Sequence, residues 1–120
     1  MNRQELQQRT KKFHVDVIKL CSDFPKNAAG FETAKQLIRS AGSVGANYRA
    51  FARAKSNADF IYKIEIVLEE SDESHYWLEV VKDAEIKVGT EVDRLIDEAN
   101  QLTAIFSATD KTAKTNKNRK

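Results

Sequence analysis

Apolar residues recur at three- and four-residue steps in four separate stretches of this 120-residue chain, and a single proline interrupts them. Steps of that size put the apolar side chains on one face of an α-helix, and that face must be buried against a partner. The first stretch runs from about Arg3 to Phe24, with Leu6, Thr10, Phe13, Val17, Leu20, Cys21 and Phe24 on one stripe. Pro25 ends it, because the residue before a proline is pushed out of the helical region. The second runs from about Phe31 to Ala54 after the linker "PKNAAG", with Ala34, Leu37, Ala41, Val44, Tyr48 and Phe51 facing inward. The third opens at "SNADF", where Ser56 is placed to cap the Asp59 amide and Asp59 adds negative charge to the first turn. Its stripe is Phe60, Ile64, Val67, Leu68, Ser71, His75, Leu78 and Val81. The fourth follows "KVGT", with Thr90 as N-cap and Val92, Leu95, Ile96, Ala99, Leu102, Thr103 and Phe106 inward. Four such helices with short connections predict an all-α, antiparallel up-down four-helix bundle over residues 1–110. Beyond Asp110 the apolar pattern stops, and residues 111–120 read as a disordered basic C-terminal tail.

Charge divides the chain more sharply than its net value of +2 suggests. Residues 35–63 carry six Lys/Arg against one Asp, residues 65–98 carry twelve Asp/Glu against three Lys/Arg, and residues 111–120 carry five cations and no anion. The expectation is a basic second helix, an acidic third helix and a basic extension. No run of 18 apolar residues is present, so no membrane partner is expected. The polar start "MNRQELQQRTKKF" and the single cysteine fit a cytoplasmic protein without an internal disulfide.

The segment "RSAGSVGANYRA", Arg39–Ala50, places glycines inside the second helix. Each costs roughly 0.8–1 kcal/mol relative to alanine. Close approach of a neighbouring helix or of another subunit would offset that cost. A kink, or a ligand approaching the backbone, are the alternatives. On the face away from the apolar stripe, Lys35, Arg39, Gly42, Ala46, Arg49 and Arg53 form a line of cations with small residues in its middle. The four cations are candidates for nucleic-acid phosphates. Equally, they could pair with the acidic third helix or stand solvated. On the third helix Tyr62, Ile66, Trp77 and Val80 project roughly opposite the main stripe. A second aromatic face suggests an oligomer interface, to which Gly42 and Ala46 of the second helix could contribute.

Catalytic chemistry finds little support. A di-metal bundle needs two Glu-x-x-His pairs and further carboxylates. Only Asp72 with His75 comes close, since Lys11 stands three residues before His14. His75 reads as a hydrogen-bonded core histidine and Cys21 as a small apolar residue. The run "EESDES" reads as a solvated helix face, and no phosphate-cradling glycine loop is present. No metal, no cofactor and no enzymatic activity are expected.

The stretch from Leu37 to Glu79 resembles the 23S rRNA-intervening-sequence protein family. Arg39, Ser40, Ala41, Ser43, Val44, Gly45, Ala46, Asn47, Tyr48 and Arg49 fit its small-residue segment. Ser56, Asp59, Phe60, Ile61, Lys63, Ile66, Glu70, Glu73, Tyr76, Trp77 and Leu78 fit the segment that follows. Ala50–Phe51 departs from it, since many relatives carry an acidic residue soon after the tyrosine. The resemblance implies a four-helix bundle assembled as a ring-like homopentamer, and it brings no catalytic residues. The chain is similar also to the accessory protein of diversity-generating retroelements, a basic pentamer that binds nucleic acid and a reverse transcriptase; the body of this chain is acidic by contrast. Two functions are therefore expected as alternatives. One is a nucleic-acid-binding module, RNA before DNA, using Lys35, Arg39, Arg49, Arg53 and the tail. The other is an oligomeric scaffold that binds another protein, its charges serving assembly.

Overall fold

The computed structural model describes residues 1–118. Four helices follow one another: α1 Arg3–Cys21, α2 Ala28–Phe51, α3 Asn57–Asp83 and α4 Thr90–Asn118. Their connections are short, so neighbours run antiparallel. α2 lies between α1 and α3, α4 packs on α3, and α1 closes back on α4. The α1 and α3 backbones do not approach each other and occupy opposite corners of a bundle measuring 52 × 23 × 20 Å; only at its end does the Arg3 side chain of α1 reach the Phe60 ring of α3.

Side-chain caps set where the helices begin. Asn2 Oδ1 accepts the Glu5 amide at 2.8 Å, and Ser56 Oγ accepts the Asp59 amide at 3.1 Å. Asp59 in turn accepts the Lys55 amide at 3.2 Å, so both partners of the expected cap satisfy free donors. α2 begins three residues before the expected Phe31, because Asn27 Oδ1 accepts the Gly30 amide at 2.9 Å. That early turn also presses Gly30 against the Pro25 carbonyl, where a Cβ would lie 1.9 Å from the oxygen. α4 begins at Gly89 rather than by a Thr90 cap: the Asp93 amide donates to the Gly89 carbonyl at 3.2 Å, and Gly89 adopts a φ of +132°.

The four stripes meet in one core. Phe13, Val17, Leu37, Val44, Ile64, Val67, Leu78, Val81, Leu95, Leu102 and Phe106 are buried. Thr10, Ser40, Ser71 and Ser74 find hydrogen-bond partners within it, whereas Asp110 Oδ1 on α4 is buried without one. Thr10 Oγ1 donates to the Leu6 carbonyl at 3.0 Å, and the Ser40 and Ser74 hydroxyls meet across the α2–α3 seam at 3.0 Å. Ser74, not His75, occupies the core slot. His75 stands one position round the helix, half-exposed, with Nδ1 3.3 Å from Glu79. The core-histidine expectation fails because the short serine fits the tight α2–α3 seam.

The tail is corrected as well. Residues 111–118 continue α4, and only Arg119 and Lys120 of the expected disordered segment lie outside the described residues. Ala113 extends the stripe from Phe106 through Asp110 and is buried. Lys114 Nζ reaches Glu65 of α3 at 2.6 Å and Asp110 at 3.1 Å. An alanine and an ion pair carry the helix on where no large apolar residue announces it.

Ion pairs tie α1 to α4. Arg9 donates to Glu98 at 2.6 and 2.8 Å, and Arg94 donates to Asp16 at 2.8 Å and to Glu91. Burial alone would raise the Asp16 carboxyl, but hydrogen bonds from Lys12 and Arg94 outweigh it and hold the group below the ordinary carboxylate range. A lowered folded-state pKa stabilises the protein above the unfolded value of about 3.9, and that stability is lost as pH falls through the folded value. Asp16→Asn is therefore expected to cost up to about 1 kcal/mol at pH 7. The gap from wild type should close at about pH 3 or below in urea melts run across pH. A gap that persists in acid would show that the carboxylate charge is not what matters.

Candidate functional site

The small residues of α2 receive α1. A Cβ on Gly45 would lie 3.6 Å from the Thr10 backbone carbonyl, and a Cβ on Gly42 would lie 3.0 Å from the His14 imidazole. Both glycines thus face α1 of the same chain, tightly at Gly42 and with room for a Cβ at Gly45. Because Gly42, Gly45 and Ala46 project almost nothing, the space above them remains open as a groove of about 670 Å³. The α1 wall is Gln4, Gln7, Gln8, Lys11 and His14; the α2 wall ends in Arg49 and Arg53. No carboxylate lines it. Lys11, Arg49 and Arg53 form no ion pair among the described residues, although eleven Lys/Arg–carboxylate pairs are made elsewhere among them.

The cation line of α2 is accordingly split. Arg39 turns to α3, donating to Glu70 at 3.2 Å and to Glu73. Burial alone would lower its pKa, but the two carboxylates raise it further above its ordinary value. Lys35 is exposed outside the groove. Only Arg49 and Arg53 of the four face the groove, and α1 adds Lys11. Sequence reading missed that contribution, because Lys11 and the three glutamines look like an ordinary solvated face until α1 is placed against α2.

The second face of α3 is uneven. Tyr62 is 64% exposed and Tyr76 55% exposed. Ile66 and Val80 are half-buried. Trp77 packs against the edge of the core, donates its indole N–H to Glu73 at 3.2 Å and meets Tyr76 edge-on at 5.1 Å. Gly42 is half-covered by His14 of its own chain, while Ala46 is exposed in the groove. Elsewhere the chemistry is sparse. Burial pushes the Cys21 thiol up to about 12, which keeps it protonated. Among the described residues no three metal-ligating side chains converge, and no helix is long and apolar enough to cross a membrane.

This four-helix architecture agrees with a family match spanning residues 2–108, to the 23S rRNA-intervening sequence protein family. The chain belongs to that family. A solved structure from Bacteroides thetaiotaomicron VPI-5482, of a protein with unknown function from the S23 ribosomal protein family, superposes with a TM-score of 0.83 at 28% identity. The match covers 92% of this chain and 99% of that one. No curated protein matches the chain. Neither the family description nor the solved relative indicates an enzyme.

Gly45 in the groove and Gly30 at the start of α2 are unequal. At Gly45 an alanine Cβ would find ordinary contact, and helix propensity favours alanine by roughly 0.8 kcal/mol. Gly45→Ala is expected to keep or raise the urea midpoint. Gly30→Ala should lower stability by about 1–3 kcal/mol, since the Pro25 backbone must move. Equal losses for both would mean that α1 lies closer to Gly45 than the structure has it.

Proposed function

We propose that this chain is a non-enzymatic RNA-binding bundle whose phosphate contacts lie in the α1–α2 groove. The observation that carries the reading is the gathering of Lys11, Arg49 and Arg53 on a concave surface without a carboxylate. A polyanion gains most where cations converge and no internal anion competes. The glutamines of α1 add side-chain amide donors and acceptors that can contact sugar and base edges. Arg39, already held by Glu70 and Glu73, contributes little, and Lys35 adds charge only at a distance.

In the same reading the protein works as a homo-oligomer, the ring-like pentamer that the family resemblance implies, and acts in the cytoplasm. The outer corner of α3 supplies the contact through Tyr62 and Ile66, with Trp77 and Val80 behind them. Exposed tyrosines beside a half-buried tryptophan support it, since large aromatic residues are enriched where proteins meet. The same face favours the second reading, a scaffold that docks another protein there and binds no RNA.

Anisotropy of a labelled structured RNA separates the two. Arg49→Ala combined with Arg53→Ala should weaken binding at least tenfold and flatten the slope of log K against log salt by about 1.4–1.8. Arg39→Ala should bind as wild type does. Wild-type affinity in the double variant would move the site off the groove, and no binding at all would leave the scaffold. Light scattering tests the assembly: Tyr62→Ser with Tyr76→Ser should lower the solution mass, and an unchanged mass would exclude this face as the contact.

A further inference from the structure

We infer that the aromatic pocket at the end of the bundle, beside the groove, takes a nucleobase of the strand whose phosphates occupy that groove. The inference rests on the RNA-binding reading and adds to it a single-stranded segment as the ligand. The pocket has a volume of about 430 Å³ and lies where α1 begins and α2 ends. At its floor Phe60 is half-buried, with Phe51 and Tyr48, each 3% exposed, packed behind it beneath the Arg3 side chain. Phe51 stands 4.1 Å from Phe60 between ring centroids, and Tyr48 stacks on Phe51 at 5.5 Å with 28° between planes. Leu6 and Thr109 close the sides.

What covers the rings is informative. The Arg3 guanidinium lies 5.5 Å from the Phe51 centroid and 5.8 Å from that of Phe60. A flat, delocalised group already occupies the ring faces, within the range of a cation–π contact. Arg3 is exposed and forms no ion pair among the described residues, so only the rings hold it there. A base offers a larger flat surface to the same platform. On displacement, the guanidinium can stack on the far side of the base or meet its phosphate.

Position ties this pocket to the groove. Gln4 follows Arg3 and lines the groove, and Arg53 lies two residues beyond Phe51 and lines it as well. A strand tracking Lys11, Arg49 and Arg53 therefore runs out at the pocket mouth. Stacking on aromatic side chains tolerates any base, so the site selects an unpaired nucleotide rather than a sequence. No carboxylate lines this pocket either.

A short single-stranded RNA carrying 2-aminopurine and a separate anisotropy label tests this on the full chain. Anisotropy reports binding, and 2-aminopurine emission reports stacking. Wild type should bind and quench. Phe60→Leu, a half-buried position whose fold is checked by circular dichroism, should lose the quench and weaken binding about tenfold. An abasic nucleotide in place of the reporter should weaken wild-type binding to the same level. Arg3→Ala leaves the rings in place and should keep the quench; losing it would put the stacking on Arg3 itself and overturn the pocket. Phe31→Ala, an exposed ring at the opposite end of α2, should quench as wild type does. Binding without quench, or a quench that survives Phe60→Leu, overturns the pocket and leaves the groove standing. Wild-type anisotropy that does not move removes the RNA-binding reading, and the pocket with it.

Discussion

The crossing of α1 over the small residues of α2 sets the rest of the molecule. Thr10 comes to Gly45 backbone against side-chain-free backbone, and His14 lies over Gly42. Side chains larger than alanine at these positions would separate the helices or fill the space between them. With the helices held close at their inner edges and nothing projecting at the outer edge, a groove is unavoidable. The helical glycines cost roughly 0.8–1 kcal/mol apiece. Alanine would fit at Gly45, so packing alone does not require glycine there. The open groove is the feature that the small residues share.

Charge then decides what the groove can hold. The acidic side chains of α3 lie within reach of the cations nearest to them: Arg39, Lys63 through Asp59, and Lys114 through Glu65. Asp16, Glu91 and Glu98 take Arg94 and Arg9 along the α1–α4 seam. Both sets of carboxylates point away from the α1–α2 seam. Lys11, Arg49 and Arg53 thus keep their charge unpaired not through any excess of cations in the chain, but because α3 and α4 are on the other side of α2 and α1. The near-neutral net charge conceals this, since neutralisation is local and falls off within a Debye length.

The fold was legible because its signal is redundant. Every core residue named from periodicity on α1 is buried, and so are Leu37, Ala41, Val44, Tyr48 and Phe51 on α2. The errors arose where a small residue did the work of a large one. Ser74 displaced His75 from the core, Ala113 extended α4, and Asn27 started α2 early because a cap outweighed the linker-like composition after it. The site was legible only by halves. Arg49 and Arg53 could be named from α2, but Lys11 and its glutamines needed the antiparallel register. Thr10 opposite Gly45 and His14 opposite Gly42 fix opposed residue numbers that add to about 55–56. A hairpin with a six-residue connection implies such a register, and it would have put Gln7 across from Arg49. Which cation would pair was not legible at all, because ion pairing depends on which helix a charge turns toward.

The diagonal placement of α1 and α3 has a consequence for assembly. The tyrosine-bearing corner of α3 never meets α1, so copies joined through it would not cover the groove by that contact. Each subunit would then add one cationic groove to the whole. A single groove with three free cations can bind only weakly at physiological salt, since each phosphate contact contributes modestly and is screened. Several grooves on one rigid ring would engage one RNA together, with every contact after the first at high effective concentration. A bundle whose cations and carboxylates balance can in this way be a competent RNA binder. Its affinity would come from repetition of a small site and not from a strongly basic surface.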